Sequence, residues 1–193
     1  MLVHMKVDFS KKVIDWDGFG FNYVETAQTT DYRKDPQDYG GFSILPEEKR
    51  GEILELVFGD NGLKPNTIKM FLDPFHQEAD HCNQPGLGNI SQKNYDHQKA
   101  TAWMRYFVKE GYRISREKGR PYQILTTLYG PPPFMTKQRF MRGRDLDPEY
   151  REELAKYITS WILYLRDTEG LPVKYASIHN EGEDYNRWPE NGE

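Results

Sequence analysis

The sequence predicts an α/β fold built around a parallel sheet, and three observations support this. Four short runs rich in β-branched and aromatic residues recur along the 193 residues. Stretches with apolar residues at helical spacing lie between these runs, and several begin or end with capping residues. The strand–helix order therefore repeats, and repeated units of this kind form parallel sheets with right-handed crossovers.

Composition excludes several classes of protein. The net charge of −4 and the absence of a basic stripe argue against nucleic acid as the main partner. No apolar run approaches the ~20 residues that span a bilayer, so no membrane contact is predicted. The first residues lack the apolar core of a signal peptide, which makes the cytoplasm the default compartment. A single cysteine, Cys82, excludes an internal disulfide framework, and no cofactor is predicted.

Residues 1–16 are predicted to form an amino-terminal β-hairpin that flanks the main domain, residues 17–193. The strands of this hairpin would be Val3–Phe9 and Val13–Trp16, joined by a polar turn. The first core strand is predicted over Gly18–Tyr23, where two glycines flank an aromatic residue and another backbone approaches closely.

The first predicted helix opens at Pro46 and runs to about Phe58, with Gly59 at the position that ends many helices. The second strand is predicted over Thr67–Leu72. A second helix follows over residues 95–118, where Gly111 is a point of weakness. The apolar face of the first helix is predicted to consist of Ile53, Leu54, Leu56 and Val57.

The third strand is predicted over Tyr122–Leu128, and three prolines make the following loop, Tyr129–Met135, rigid and extended. Asp147 is predicted to cap the third helix, with Pro148 at its first position and Gly170 at its end. The core-facing stripe of this helix is Leu154, Tyr157, Ile158, Trp161 and Leu165.

Each predicted strand ends in polar or aromatic residues, and these ends are the candidate site. In parallel α/β folds, chemistry takes place at the carboxyl edge of the sheet. An acidic, aromatic-lined cleft at this edge suits neutral polyhydroxyl ligands, whereas a solvated strand end is the alternative interpretation. The residues concerned are Asn22, Tyr23 and Glu25 after the first strand, Asp73 after the second, Tyr129 after the third, and Asn180 and Glu181 after the fourth.

Four segments, in this order, resemble the retaining glycoside hydrolases of clan A, most closely glycoside hydrolase family 30. They are Ile14–Gly20 with its Gly-Phe-Gly, Thr67–Asp73, the proline loop Tyr129–Met135, and Ile178–Glu181 with its Asn-Glu pair. The sequence departs from the family pattern at three positions. Gly182 stands where proline is usual, Phe134 where tryptophan is common, and Lys69 where arginine is frequent.

The resemblance implies the amino-terminal half of a (β/α)8 TIM barrel, strands one to four, that acts on β-linked glycosides. Glu181 would be the general acid/base, and Asn180 would bind the sugar 2-hydroxyl. The nucleophile of this clan lies on the seventh strand, so the chain is expected to be truncated after strand four and inactive alone. The other residues expected to bind substrate are His179, Asn22, Tyr23, Glu25, Asp73, Tyr129, Phe134 and Trp188.

Several alternatives stay open. Glu25 is a second candidate nucleophile, although a substrate contact is the better interpretation. His179 either tunes the charge of Glu181 or is an ordinary hydrogen-bonded histidine. The spacing of His76, Asp80, His81 and Cys82 matches no zinc pattern, so no metal is predicted.

Two other functions compete with the glycosidase. One is a carbohydrate-binding half-barrel without catalysis. The other is a half-barrel that completes itself by dimerisation, because an unclosed barrel exposes two sheet edges through which copies can associate.

Overall fold

The computed structural model of this protein describes residues 3–22, 42, 45–72, 101–128, 130–139 and 145–180. Within this part of the chain, four parallel strands alternate with α-helices, which confirms the predicted α/β fold. None of the described helices combines the length and the apolar character needed to cross a membrane.

The strands lie side by side in the order of the chain. They are β1 (Gly20–Asn22), β2 (Thr67–Leu72), β3 (Gln123–Leu128) and β4 (Val173–Ser177), and every neighbouring pair is parallel. The predicted bounds of the second strand are confirmed residue for residue. A register shift interrupts the pairing of β3 with β4 between Ile124 and Leu125.

The α-helices are α1 (Glu47–Phe58), α2 (Ala102–Glu117) and α3 (Arg151–Leu163). A π-helical turn, Tyr164–Thr168, continues α3. Two short 3₁₀ helices lie over Pro133–Met135 and Pro148–Tyr150. Residues 95–100, which were predicted to begin the second helix, lie outside the described part of the chain.

The ends of α3 follow the predicted capping chemistry. The Asp147 carboxylate accepts a hydrogen bond from the Glu149 N–H at 3.2 Å, and Pro148 takes the first position of the 3₁₀ turn that leads into the helix. Gly170 has φ +67°, a left-handed conformation that favours glycine and ends the helical segment.

The helix α1 differs from its prediction in two details. Gly59 has φ −70°, so it does not end the helix through a left-handed conformation. Leu56 is exposed, because Leu54 and Phe58 form the buried stripe four residues apart and Leu56 lies on the other side of the helix.

One face of the sheet packs against the helices and forms the core. Phe21, Ile68, Met70, Ile124 and Leu128 alternate with residues of the other face, and all five belong to the core cluster or pack against it. Their partners from the helices and adjoining turns include Leu54, Phe58, Met104, Phe107, Val108, Tyr157, Trp161, Tyr164 and Leu165.

Gly111 does not interrupt α2, which continues through it. A Cβ at this position would lie 2.4 Å from Phe58 Cζ, so the missing side chain lets α2 approach α1 closely. The glycine is therefore a packing residue.

The predicted amino-terminal hairpin is not formed. Residues 3–16 contain no strand and have only a local turn, in which the Asp8 carboxylate accepts hydrogen bonds from the Ser10 N–H and hydroxyl. The apolar side chains of this segment are exposed, Phe9 by 95% and Val13 by 94%. Alternating apolar residues specify a strand face, but a strand also needs a hydrogen-bonding neighbour, and none is present in the described part of the chain.

Candidate functional site at the carboxyl end of the sheet

The face of the sheet that points away from the core carries the candidate site. We call it the opposite face. The strand register assigns to it Gly20 and Asn22 of β1, Thr67, Lys69 and Phe71 of β2, Gln123, Leu125 and Thr127 of β3, and Tyr175 and Ser177 of β4. Most of these residues are polar, in contrast to the apolar residues that alternate with them.

Lys69 connects the middle of the sheet to its carboxyl end. Its ammonium lies 4.7 Å from the ring centroid of Phe71, two residues further along the same face of β2. The same ammonium donates a hydrogen bond to Asn180 Oδ1 at 3.0 Å. The Lys69 side chain therefore crosses β3 to reach the residue directly before Glu181.

Asn22 lies next to Lys69, because the two residues are register partners in the β1–β2 pair. Neighbouring strands are ~4.8 Å apart, so the two side chains leave the same face side by side. The structure thus brings together Asn22, Lys69 and Asn180, one each from the first, second and fourth strand segments.

The chain turns after β4. The Ser177 hydroxyl donates to the carbonyl of His179 at 2.8 Å, and Ile178 is 75% exposed. Because β4 ends at Ser177, the strand alternation that would place His179 on the same face as Ser177 does not continue to His179. The His179 Nδ1 lies 2.7 Å from the Asn180 carbonyl oxygen, a contact that requires the proton on Nδ1.

Thr127 marks a polar position that sequence analysis missed. Its side chain is 1% exposed, and its hydroxyl has no hydrogen-bond partner among the residues that the structure describes. Thr127 pairs in register with Phe71 on one side and Ser177 on the other, near the carboxyl end of the opposite face. The period of two along β3 is the signal that would have assigned it to this face.

Phe134, predicted to contact substrate, is 7% exposed. Its ring packs edge-on against Tyr150 at 5.6 Å, inside the core cluster. In this structure the ring joins the proline loop to the core, and its contact with a ligand stays a prediction.

The remaining predicted site residues lie outside the described part of the chain. They are Tyr23, Glu25, Asp73, Tyr129, Glu181 and Trp188, together with the loop residues His76, Asp80, His81 and Cys82 that were considered for a metal. Among the described residues, no group of three histidine, cysteine or carboxylate side chains could hold a metal ion.

The amino end of the opposite face holds a separate polar cluster centred on Asp17. Its carboxylate accepts hydrogen bonds from the Tyr175 hydroxyl and, at 3.0 Å, from the Lys174 ammonium. These two donors, Tyr175 first, hold the pKa of Asp17 below its ordinary value. Its carbonyl oxygen accepts from the side chains of Asn66 at 2.5 Å and Gln123 at 3.4 Å, so the segment before β1 lies across the amino end of the sheet.

A groove of about 580 Å³ lies away from the sheet edges, between α2 and the turn that follows the π-helix. Its buried carboxylate, Glu169, forms ion pairs with Arg105 and, at 2.6 Å, with Lys109. Burial raises the pKa of Glu169. The hydrogen bonds from Lys109 and the Tyr164 hydroxyl, together with the charge of Arg105, outweigh burial, and the pKa of Glu169 is lowered. This groove is thus a structural ion-pair site.

No protein-family profile matches the chain, and no curated protein matches it either. Solved structures similar to it include the following two. SrfJ from Salmonella typhimurium has a TM-score of 0.59 and 20% identity over 86% of this chain. A conserved exported protein from Bacteroides fragilis has a TM-score of 0.67 and 18% identity over 97% of this chain. The chain covers 34% and 38% of those two proteins, and identities at this level show the fold alone.

Proposed function

We propose that this chain forms the first half of the (β/α)8 barrel of a retaining glycoside hydrolase, with Glu181 as the general acid/base. One observation carries the proposal. The Asn180 side chain is held at the carboxyl end of a parallel sheet by an ammonium group from β2, and Glu181 is the next residue. The carboxyl end is where βα barrels hold their catalytic groups.

The sheet geometry supports a barrel over a flat sheet. Neighbouring strands are ~4.8 Å apart, so β1 and β4 would be roughly 14 Å apart in a flat sheet of this order. Asp17, three residues before β1, nevertheless hydrogen-bonds to Lys174 and Tyr175 of β4. The segment before β1 therefore reaches across the amino end of the opposite face to β4, an approach that is shorter when this face curves like the inside of a barrel.

In the proposed mechanism, Glu181 protonates the glycosidic oxygen as the bond breaks and then deprotonates the incoming water. This cycle needs a carboxyl group whose pKa is raised while its partner carboxylate stays ionised. A retaining enzyme holds that partner ~5 Å away, and the family resemblance predicts it on a seventh strand, outside these 193 residues.

Asn180 has the complementary role of binding the sugar 2-hydroxyl, a contact that strengthens in the transition state. Its neighbours on the opposite face are polar side chains, which suit a polyhydroxyl ligand. Asn22 lies in register beside Lys69 and would line the same cleft.

The test compares leaving groups in a protein that joins these residues to the strands completing the barrel. Sugar and alkyl leaving groups need a proton, whereas nitrophenolates depart without one. Glu181→Ala should therefore reduce cleavage of natural β-glycosides by ~10²–10⁴-fold but spare glycosylation from aryl glycosides. Azide should then speed turnover of the aryl substrate and give a product of retained configuration.

Glu183→Ala is the matched control, because it removes a carboxylate two residues away and should change neither step. The decisive measurement is single-turnover glycosylation. If Glu181→Ala slows it as deeply with an aryl glycoside as with a natural substrate, Glu181 is not the acid/base.

A further inference from the structure

We propose that Lys69 is a positioning residue that fixes the orientation of the Asn180 amide, so that Asn180 presents its NH₂ group, and not its oxygen, to a ligand hydroxyl. This inference rests on the proposed function for the identity of the ligand. The orientation itself follows from the contact between the two side chains and can be tested without any ligand.

The Lys69 ammonium can face only one end of the Asn180 amide. A lysine ammonium carries three donors and no acceptor, so only the oxygen of an amide can face it. The 3.0 Å contact between Lys69 Nζ and Asn180 Oδ1 therefore determines which end of the amide is which. An amide bound to a neutral hydroxyl could adopt either orientation, because a hydroxyl both donates and accepts.

Contacts along β2 hold Lys69 itself in place. Its ammonium lies over the Phe71 ring at 4.7 Å, and Phe71 is buried at 5% exposure. The backbone N–H of Phe71 also points to Met104 Sδ of α2, which anchors this part of β2 to the core. Lys69 is thus directed toward Asn180 from a rigid strand and not from a loop.

The NH₂ end of the Asn180 amide is directed away from Lys69. With Oδ1 occupied by Lys69, the Asn180 Nδ2 carries two N–H groups, and neither bonds to a residue that the structure describes. An NH₂ group at the carboxyl end of the sheet is suited to donate to a hydroxyl oxygen. Lys69 would thereby set the hydrogen-bonding specificity of the site without touching the ligand.

The experiment uses the 193-residue chain labelled with ¹⁵N, in which the side-chain NH₂ signals of Asn180 are identified by their loss in Asn180→Ala. Lys69→Met removes the charge at similar length and should shift these signals and increase the mobility of the group. Lys69→Arg supplies another donor-only cation and should restore them. Lys174→Met, which removes an exposed ammonium at the amino end of the sheet, is the control and should leave them unchanged.

A ligand measurement then tests specificity. Methyl β-glucoside and its 2-deoxy analogue are titrated into each variant. Lys69→Met should weaken binding of the hydroxyl-bearing sugar by roughly 3- to 10-fold, the equivalent of one hydrogen bond, and leave the 2-deoxy sugar unchanged.

The outcomes separate the two proposals. Unchanged Asn180 signals in Lys69→Met overturn the positioning role, whatever the sugars do. Absence of binding by either sugar, with the Asn180 signals shifted, counts against the carbohydrate function alone. If Lys69→Met does not fold, the contact is measured from its other end. The ¹³Cε signal of Lys69 should then move in Asn180→Leu, and an unmoved signal overturns the proposal.

Discussion

The two faces of the sheet differ although their residues alternate one by one. Ile124 is 0% exposed and packs in the helix-covered core, whereas its neighbour Leu125 lies on the opposite face and is only partly buried. Ile68 and Lys69 show the same contrast one strand away. The packed apolar core lies on one face and most of the polar residues on the other, so the site can carry polar side chains that a core could not accommodate.

The largest expected effect is on the core-facing side of β3. Ile124→Ala should lower the free energy of unfolding by about 2–5 kcal/mol, because it leaves a cavity among packed helices. Leu125→Ala, its neighbour, should cost only about 1 kcal/mol, because less apolar surface is buried there. Urea unfolding of both variants, followed by circular dichroism, measures the difference.

Equal losses at the two positions would show that the opposite face is as tightly packed as the core. A Leu125→Ala loss that grows with protein concentration would show instead that a second copy covers this face. That result would favour the half-barrel completed by dimerisation.

A smaller effect is expected where two helices meet on the core side. Gly111→Ala should destabilise the protein by about 1–3 kcal/mol, since the added Cβ overpacks against the Phe58 ring. Gly51→Ala is the matched control, because a Cβ there meets nothing within 4 Å. On helix propensity alone it should stabilise α1 by about 0.5–1 kcal/mol. Thermal unfolding should therefore shift in opposite directions, and a shared direction would contradict the packing role of Gly111.

The sequence predicted the helix-covered side of the molecule well. The Asp147 cap, the stripe through Tyr157 and Trp161, and the bounds of β2 all follow from local periodicity and capping, which short stretches encode. It failed at residues 3–16, where alternation was present but no neighbouring strand was. Strand formation depends on a partner distant in sequence, and a single sequence does not reveal that partner.

The candidate site was likewise predicted only where local sequence is informative. Asn180 and Asn22 were candidates because strand ends are visible in the sequence, and the structure places both beside Lys69. The contact between Lys69 and Asn180 joins residues 111 positions apart, and the family resemblance shows Lys69 only as a replacement for arginine. The buried hydroxyl of Thr127 was missed because a threonine within a strand looks like an ordinary strand residue.

The smallest expected effect concerns Asp17, at the amino end of the opposite face. Because its donors lower the pKa of Asp17 in the folded state, the folded protein binds fewer protons here than the unfolded chain. The stabilisation is therefore present above the ordinary aspartate pKa of about 3.9 and is lost as the pH falls through the lower folded value. Asp17→Asn should remove this pH dependence and reduce the protection of the β4 amide protons from hydrogen exchange, with little change in overall stability, because an exposed ion pair is weak.

The matched control is Asp8→Asn. Its carboxylate also has a lowered pKa, but its hydrogen bonds reach only Ser10, so β4 should keep its protection from hydrogen exchange. Equal loss of β4 protection in both variants would show that Asp17 does not link the segment before β1 to β4, and this support for a barrel would be lost.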